Sequence, residues 1–323
     1  MTARTIRRTA ARSRIAAVGA LAVAGALVLT GCGDQTGGGD GNKDSGGGDK
    51  AGGNSSPLFS KLPETVQKKG VLEIGTNAEY APMESKEGDK IIGVDPDLAE
   101  ELGKKLGVKV KLTDADFDTL ITGVNTGRYD LAMSSITDNK SRQEGLDENG
   151  KKLGKGVDFV DYFMAGTAVY VKKGNPTGVK SFEDLCGRVV AVQIGTTYET
   201  AVKDQSKKCT DGGKKAVDVK SFKNDTEAQT RVRSGGAAAG VNDSPVAADL
   251  VKKAGGGQYF ELVGEPFEAG PFGLAVDKKN TKLRDALKEA VDALIKDGTY
   301  KKVLEKWGAE SGAIDAAAIN SGK

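Results

Sequence analysis

Histidine is absent from all 323 residues. That removes every Ser-His-Asp and Cys-His catalytic arrangement and leaves carboxylates, lysine or tyrosine for general-base work. It also deprives a zinc site of its commonest non-thiolate ligand, so no metal or other cofactor is expected. No Gly-Lys-Ser/Thr phosphate loop occurs either, and any ATP hydrolysis that the function needs falls to another chain. Long apolar runs are missing except one near the start, residues 15–29. About fifteen residues is short for a membrane-spanning helix, which needs about twenty, but it matches a signal-peptide core.

The flanks of that run agree. Arg4, Arg7, Arg8, Arg12 and Arg14 precede it without an acid, and it closes on Leu29, Thr30, Gly31 and Cys32. This is the pattern of a bacterial lipoprotein signal: residues 1–31 are expected to be cleaved and Cys32 to carry the lipid. Residues 33–56 contain ten glycines and no large apolar side chain. Residues 32–57 therefore read as a lipidated cysteine and flexible tether with a root-mean-square span of about 27 Å. The expected location is extracytoplasmic, on the outer face of the cytoplasmic membrane. Without the leader the chain has 42 basic and 45 acidic residues, net −3. Such a chain has no electrostatic footprint for phosphates, and no nucleic-acid partner is expected.

The remaining residues suffice for two lobes with separate cores, hence a cleft. Cys186 and Cys209 remain in an exported chain, where a disulfide is the economical reading and two unpaired thiols the alternative. Strand patterns at 71–76, 108–112 and 128–133 alternate with helical patterns at 95–106 and 117–125. Asp95 is expected to cap the first helix and Pro96 to occupy its first position. A second series follows: strands at 189–193, 217–222 and 237–241, and helices after Thr196, over 226–234 and from Ser244. Thr196 and Glu199 form a capping box. The bare N–H groups of that helix start suit a carboxylate. Alternation of this kind implies an α/β fold with largely parallel sheets, whose ligands bind beyond the carboxyl ends of strands. Asn77, Ser134, Ser135, Gly195, Thr197 and Asp243 fall at those ends, although each residue type is also a common helix cap.

Five motifs in order carry a resemblance. They are Gly75 to Met83, Gly93 to Ala99, Met133 to Thr137 with Arg142, Gly195 to Thr197, and Asp243. Over about residues 65–310 the chain resembles the polar amino-acid-binding proteins of ABC importers, solute-binding family 3. The resemblance implies a two-lobed periplasmic-binding-protein fold of type II, each lobe a mostly parallel sheet flanked by helices. It implies a forked pair between Arg142 and a ligand α-carboxylate, helped by the Thr197 N–H, Ser135 and Thr137. Asp243 would take the α-ammonium, Tyr80 and Phe117 would cover the aliphatic part, and Asn77 and Gln193 would face the side chain. Lobe one is expected to comprise 58–165 plus 271–310, lobe two 166–270, and 311–323 a tail. Gly166 and Gly270 suit the hinge strands.

The implied partners are an amino acid, a membrane permease and its ATPase subunits, with the binding protein a lipid-anchored monomer and not an enzyme. The family often has an acid where Asn77 stands, and the amide weakens any inference of a cationic ligand. Residues 143–158 look like an inserted polar turn. Two rival functions share the fold: dehydratase-like chemistry, for which Glu79, Glu84 or Glu268 could act, and a ligand-sensing receptor module.

Overall fold

A computed structural model describes residues 56–147 and 150–323. The leader, Cys32 and nearly all of the tether lie outside the described residues. Among the described residues no helix is long and apolar enough to cross a membrane.

Helix α1 (Glu64–Lys69) stops at Gly70, which supplies the left-handed φ of 65° that a helix C-cap requires. The chain turns directly into β1 (Val71–Thr76), whose alternate residues Leu72 and Ile74 are fully buried. Three short strands, β2 (Glu79–Tyr80), β3 (Glu84–Glu87) and β4 (Lys90–Ile92), form a small antiparallel sheet at its end. Helix α2 (Val94–Leu106) buries Leu98, Leu102 and Leu106 as one stripe. It begins two residues earlier than the sequence suggests: Gly93 is the cap, so Pro96 is the third helical residue and Asp95 does not cap. The Asp95 carboxylate turns inward instead. β5 (Lys109–Asp114) and α3 (Leu120–Asn125) follow, the latter entered through a single 3-10 turn at Phe117–Thr119. The pattern over residues 128–133 yields only a two-residue strand, β6 (Leu131–Ala132). Helix α4 (Lys140–Glu144) is capped by Asn139 Oδ1, which accepts the Arg142 N–H at 2.9 Å.

β7 (Asp158–Lys172) then runs fifteen residues into the second lobe. There β8 (Val189–Gln193), α5 (Thr197–Asp211), β9 (Asp218–Phe222), α6 (Asp225–Arg233), β10 (Ala239–Asp243) and α7 (Ser244–Lys253) repeat the strand-helix alternation. β11 (Phe260–Val276) returns antiparallel to β7. Helix α8 (Thr281–Lys296) lays Leu283, Leu287, Val291 and Leu294 against α2, and α9 (Thr299–Trp307) packs beside it. Strand β12 (Ala318–Ile319) pairs with β7, so residues 311–323 do not trail from the fold.

The strand order β5-β1-β6-β11-β7-β10-β8-β9 contains two parallel trios, β5-β1-β6 and β10-β8-β9, joined by the antiparallel pair β7 and β11. The pairing of β11 with β7 loses register between Val263 and Phe267, again between Phe267 and Gly270, and once more between Phe272 and Gly273. Glu268, within the second of these breaks, has a φ of 50°. These irregularities fall where the two strands pass from one trio to the other.

In the second lobe Cys186 and Cys209 are disulfide-bonded across a sequence separation of 23, with Cα atoms 5.6 Å apart. The bond fastens the start of β8 to the last turn of α5. Replacing both cysteines by serine should lower the free energy of unfolding by about 3 kcal/mol, the chain-entropy cost of such a loop. Denaturant titration measures it; an unchanged midpoint and slope would show the bond to be dispensable.

Candidate functional site

The polar loops at the strand ends of the two trios meet face to face. From the first come Asn77 after β1, Ser134 and Ser135 after β6, and Thr137 and Arg142 around the start of α4. From the second come Gln193 at the end of β8, Gly195 and Thr197 at the start of α5, and Asp243 at the end of β10. A cavity of only ≈ 10 Å³ separates them, room for about one water molecule. An amino acid does not fit in that space, so this is a closed cleft whose walls bond to each other.

Those bonds cross the cleft. Tyr80 donates its hydroxyl to Asp243 Oδ2 at 2.6 Å and also contacts Asn242 Oδ1. Arg142 Nη2 donates to the Gly195 carbonyl at 2.9 Å, while Nη1 holds the Thr137 carbonyl at 2.7 Å. Gln193 Nε2 donates to Asn77 Oδ1 at 2.9 Å. Thr137 and Thr197 bring their hydroxyls to 3.4 Å. At the rim, Lys223 meets Asp116 at 3.1 Å and Thr226 donates to Glu79 at 2.7 Å. The face of Phe117 lies 5.6 Å from the Arg142 guanidinium carbon, a cation–π distance.

Local chemistry explains why these groups point inward. Thr196 Oγ1 accepts the Glu199 N–H at 3.1 Å, as in a capping box, but the return bond comes from Gly195, whose N–H donates to Glu199 Oε2 at 2.7 Å. Thr196 remains the cap, and only the return bond is shifted by one residue. Gly195 adopts a φ of 79° to allow it, and its carbonyl is left facing Arg142.

The site's charges are costly. Burial raises the pKa of Asp243 to about 7, against the opposing pull of the Tyr80 hydroxyl and of Arg142. Burial lowers that of Arg142 to about 10, partly offset by Asp243. Beneath them lies a pair of carboxyls, Glu84 and Asp95, each 1% exposed. Glu84 accepts from the Ser134 hydroxyl at 2.8 Å and the Ser135 hydroxyl at 3.3 Å. Asp95 accepts the Ser135 N–H at 2.9 Å and the Tyr162 hydroxyl at 2.7 Å. Burial, with the neighbouring Asp95, pushes Glu84 well above the usual carboxylate range, and burial lifts Asp95 to about 6. Burial thus disfavours ionising both acids of the pair at once. Ser135, with a φ of 50°, is kept in the left-handed region by these two acids.

Nine of the eleven residues expected at the ligand line the cavity. Ser134 instead sits beneath it, accepting the Asn77 N–H at 2.9 Å, and Gly195 contributes its carbonyl at the edge. Asn77 and Gln193 bond to each other rather than leaving both amides free. Glu84, Thr196 and Tyr198 also line the cavity and were not expected at the ligand. Tyr198 follows Thr197 on α5 and has no spacing that marks it. Glu84 sits in a polar run, Glu84 to Lys90, that reads as surface; only its position after Pro82 and Met83 hinted otherwise.

The fold and site define a class: two-lobed binding proteins that enclose a small polar solute between α/β lobes. Residues 72–310 match the family model for bacterial extracellular solute-binding proteins, family 3, and the chain belongs to that family. It is 33% identical over 261 residues to the arginine-binding protein ArgT of Corynebacterium glutamicum, covering 80% of this chain and 81% of that protein. It is 30% identical to the L-cystine-binding protein TcyJ of Escherichia coli, covering 75% and 84%. Among solved structures, an ancestral arginine-binding protein bound to arginine superposes with a TM-score of 0.65 at 40% identity, covering 74% of this chain and 98% of that one. An ancestral amino-acid-binding protein described as a precursor of cyclohexadienyl dehydratase has the same TM-score at 37% identity, covering 76% of this chain and 98% of that one.

The raised acids set a pH dependence of stability. Asp243, Asp95 and Asp225 have folded pKa values of about 6 to 7, above the unfolded value near 4. The native state therefore holds more protons than the unfolded chain between about pH 4 and 7, and stability rises as pH falls through that window. Asp297, held at about 2 mainly by Lys105, works oppositely and loses its contribution below about pH 4. Denaturation of the ligand-free protein should show greater stability at pH 5 than at pH 8. A flat profile, or stability that rises from pH 5 to pH 8, would contradict the burial of these acids.

Proposed function

We propose that this protein is an extracytoplasmic, lipid-anchored receptor that captures an amino acid between its lobes and delivers it to the permease of an ABC importer. Hydrolysis of ATP belongs to a separate subunit of that importer. One observation carries the reading: Arg142 and Asp243, of opposite charge and from opposite lobes, come to the same small cleft. A zwitterion leaving water loses solvation at both ends and must find an acid and a guanidinium together. In this reading the ligand carboxylate takes the place of the Thr137 and Gly195 carbonyls on the Arg142 fork, near the start of α5. Its ammonium replaces the Tyr80 hydroxyl at Asp243.

The lobes divide at the irregular stretch of β7 and β11, near residues 165–167 and 266–271, and open by bending there. A ligand that engages Arg142 from lobe one and Asp243 from lobe two favours the closed state, because only closure satisfies both charges. The Asn77 and Gln193 amides then read the ligand side chain. Relatives whose names specify arginine or cystine support the amino-acid class, and the neutral amides favour no cationic ligand by themselves. Glu84 is committed to the hydroxyls of Ser134 and Ser135, which argues for binding over dehydration chemistry.

A thermal-shift screen of the protein, refolded to strip carried-over ligand, against the twenty amino acids tests this. Ligand at about a thousand times its dissociation constant adds roughly 4 kcal/mol to the native state, a visible rise in Tm. Shifts confined to one or a few amino acids are expected, and a response only to non-zwitterions would overturn the assignment. Arg142→Ala and Asp243→Ala should each remove about 2 to 5 kcal/mol of binding free energy without unfolding the protein. Full affinity by calorimetry in either variant would sink that residue's role.

Asp243 adds a proton signature. Because its pKa is about 7 and an ammonium requires the carboxylate, binding below pH 7 should release up to one proton, and affinity should fall by up to tenfold per pH unit. Calorimetry in buffers of different ionisation enthalpy reads the proton directly. No proton release at pH 6 would mean that Asp243 is already ionised in the free protein or that the ammonium is held elsewhere.

A further inference from the structure

The family match ends at residue 310, yet the residues after it fold back onto the stretch that carries Arg142. β12 sets Ala318 opposite Asp161 and Ile319 opposite Val160. Asn320 Oδ1 then accepts the Phe159 N–H at 2.8 Å. Ser321 donates its hydroxyl to Asp161 Oδ2 at 2.5 Å. Gly322 donates its N–H to Asp138 Oδ2 at 2.8 Å and accepts Gln143 Nε2 on its carbonyl at 3.1 Å. Gln143 Nε2 also donates to Asp138 Oδ1 at 2.7 Å, closing a buried ring of hydrogen bonds.

The placement of that ring is what matters. Asp138 follows Thr137, whose carbonyl holds Arg142 Nη1, and Gln143 follows Arg142 itself. Both neighbours of the guanidinium's support are thus tied to one residue, Gly322. The fit there leaves no space for a side chain, since a Cβ on Gly322 would lie 2.1 Å from the Asp138 carbonyl oxygen.

We propose that residues 318–323 form a strap that positions Arg142 for the ligand, with Gly322 and Gln143 as its positioning residues. The strap touches no ligand. It fixes the Thr137 to Gln143 segment from behind, so that the guanidinium fork meets a carboxylate without first being ordered. This rests on Arg142 being the carboxylate clamp.

The test measures affinity by calorimetry and cooperativity of melting, using whichever of the twenty amino acids raises Tm most. Gly322→Val displaces the strap by sterics, and Gln143→Leu cuts its hydrogen bonds at nearly constant volume. Each should weaken binding on the order of tenfold, the usual consequence of losing a hydrogen-bonded supporting shell, while melting stays cooperative. In an Arg142→Lys background, where the fork is already lost, neither should weaken binding much further. Unchanged affinity in both variants, with Arg142→Ala still defective, would overturn the strap alone. Full additivity in the lysine background would also overturn it, because a general structural effect adds where a positioning effect does not. Normal affinity in Arg142→Ala, or no response to any amino acid, would overturn both the clamp and the strap.

Discussion

Everything in this structure hangs on the antiparallel pairing of β7 with β11. These are the longest strands of the sheet, and each lies in both lobes. Their pairing aligns the carboxyl ends of β1 and β6 with those of β8 and β10, so that polar loops distant in sequence share one cleft. Asp243 ends β10 opposite Thr167 of β7, within the same ladder that carries the chain back toward Arg142. The ladder is broken twice between Val263 and Gly270 and shifts register once more between Phe272 and Gly273. The two closely spaced breaks between Val263 and Gly270 make that stretch the weakest part of the ladder.

The second constraint is electrostatic. A folded protein that buries Asp243, Asp225, Glu84 and Asp95 within one region raises the pKa of each, and such burial opposes folding at neutral pH. The arrangement makes sense at a site whose counter-charge arrives with the ligand. Glu84 and Asp95 meet the same problem differently, by accepting hydrogen bonds from Ser134, Ser135 and Tyr162. Ser135 can hold its unfavourable backbone conformation because two acids and a tyrosine hydroxyl enclose it.

How legible this was in the sequence varied with the kind of information. Alternating strands and helices, and the strand-end polar residues, follow from local periodicity, which is why Val189–Gln193 was readable to the residue. Asp95 was misread because a carboxylate just before an apolar stripe looks like a cap; its true partners, Tyr162 and Ser135, are 67 and 40 residues away. Glu84 was nominated only as a possible catalytic acid, since nothing in its polar run distinguishes a buried carboxyl from a solvated one. The short β6 was overestimated because Arg128 to Asp130 resemble strand but serve as its approach, with the Asp130 N–H bonded to the Glu73 carbonyl. The role of residues 318–323 was invisible, because Ala, Ile, Asn, Ser and Gly carry no signal until the fold shows what they touch.

The closed cleft has a consequence for selectivity. Its own side chains satisfy one another: the tyrosine hydroxyl serves the acid, two carbonyls serve the guanidinium, and one amide serves the other. A ligand must displace these bonds, so affinity reflects the difference between the ligand's bonds and those it replaces. In the proposed binding mode, replacing a hydroxyl at Asp243 with an ammonium, and two carbonyls at Arg142 with a carboxylate, exchanges neutral partners for charged ones in a site where screening is weak. A solute bearing only one of those charges would strip a neutral partner from the other clamp and leave it unpaired in a dry pocket. Discrimination in favour of zwitterions thus needs no steric filter, because the self-bonded cleft supplies the penalty.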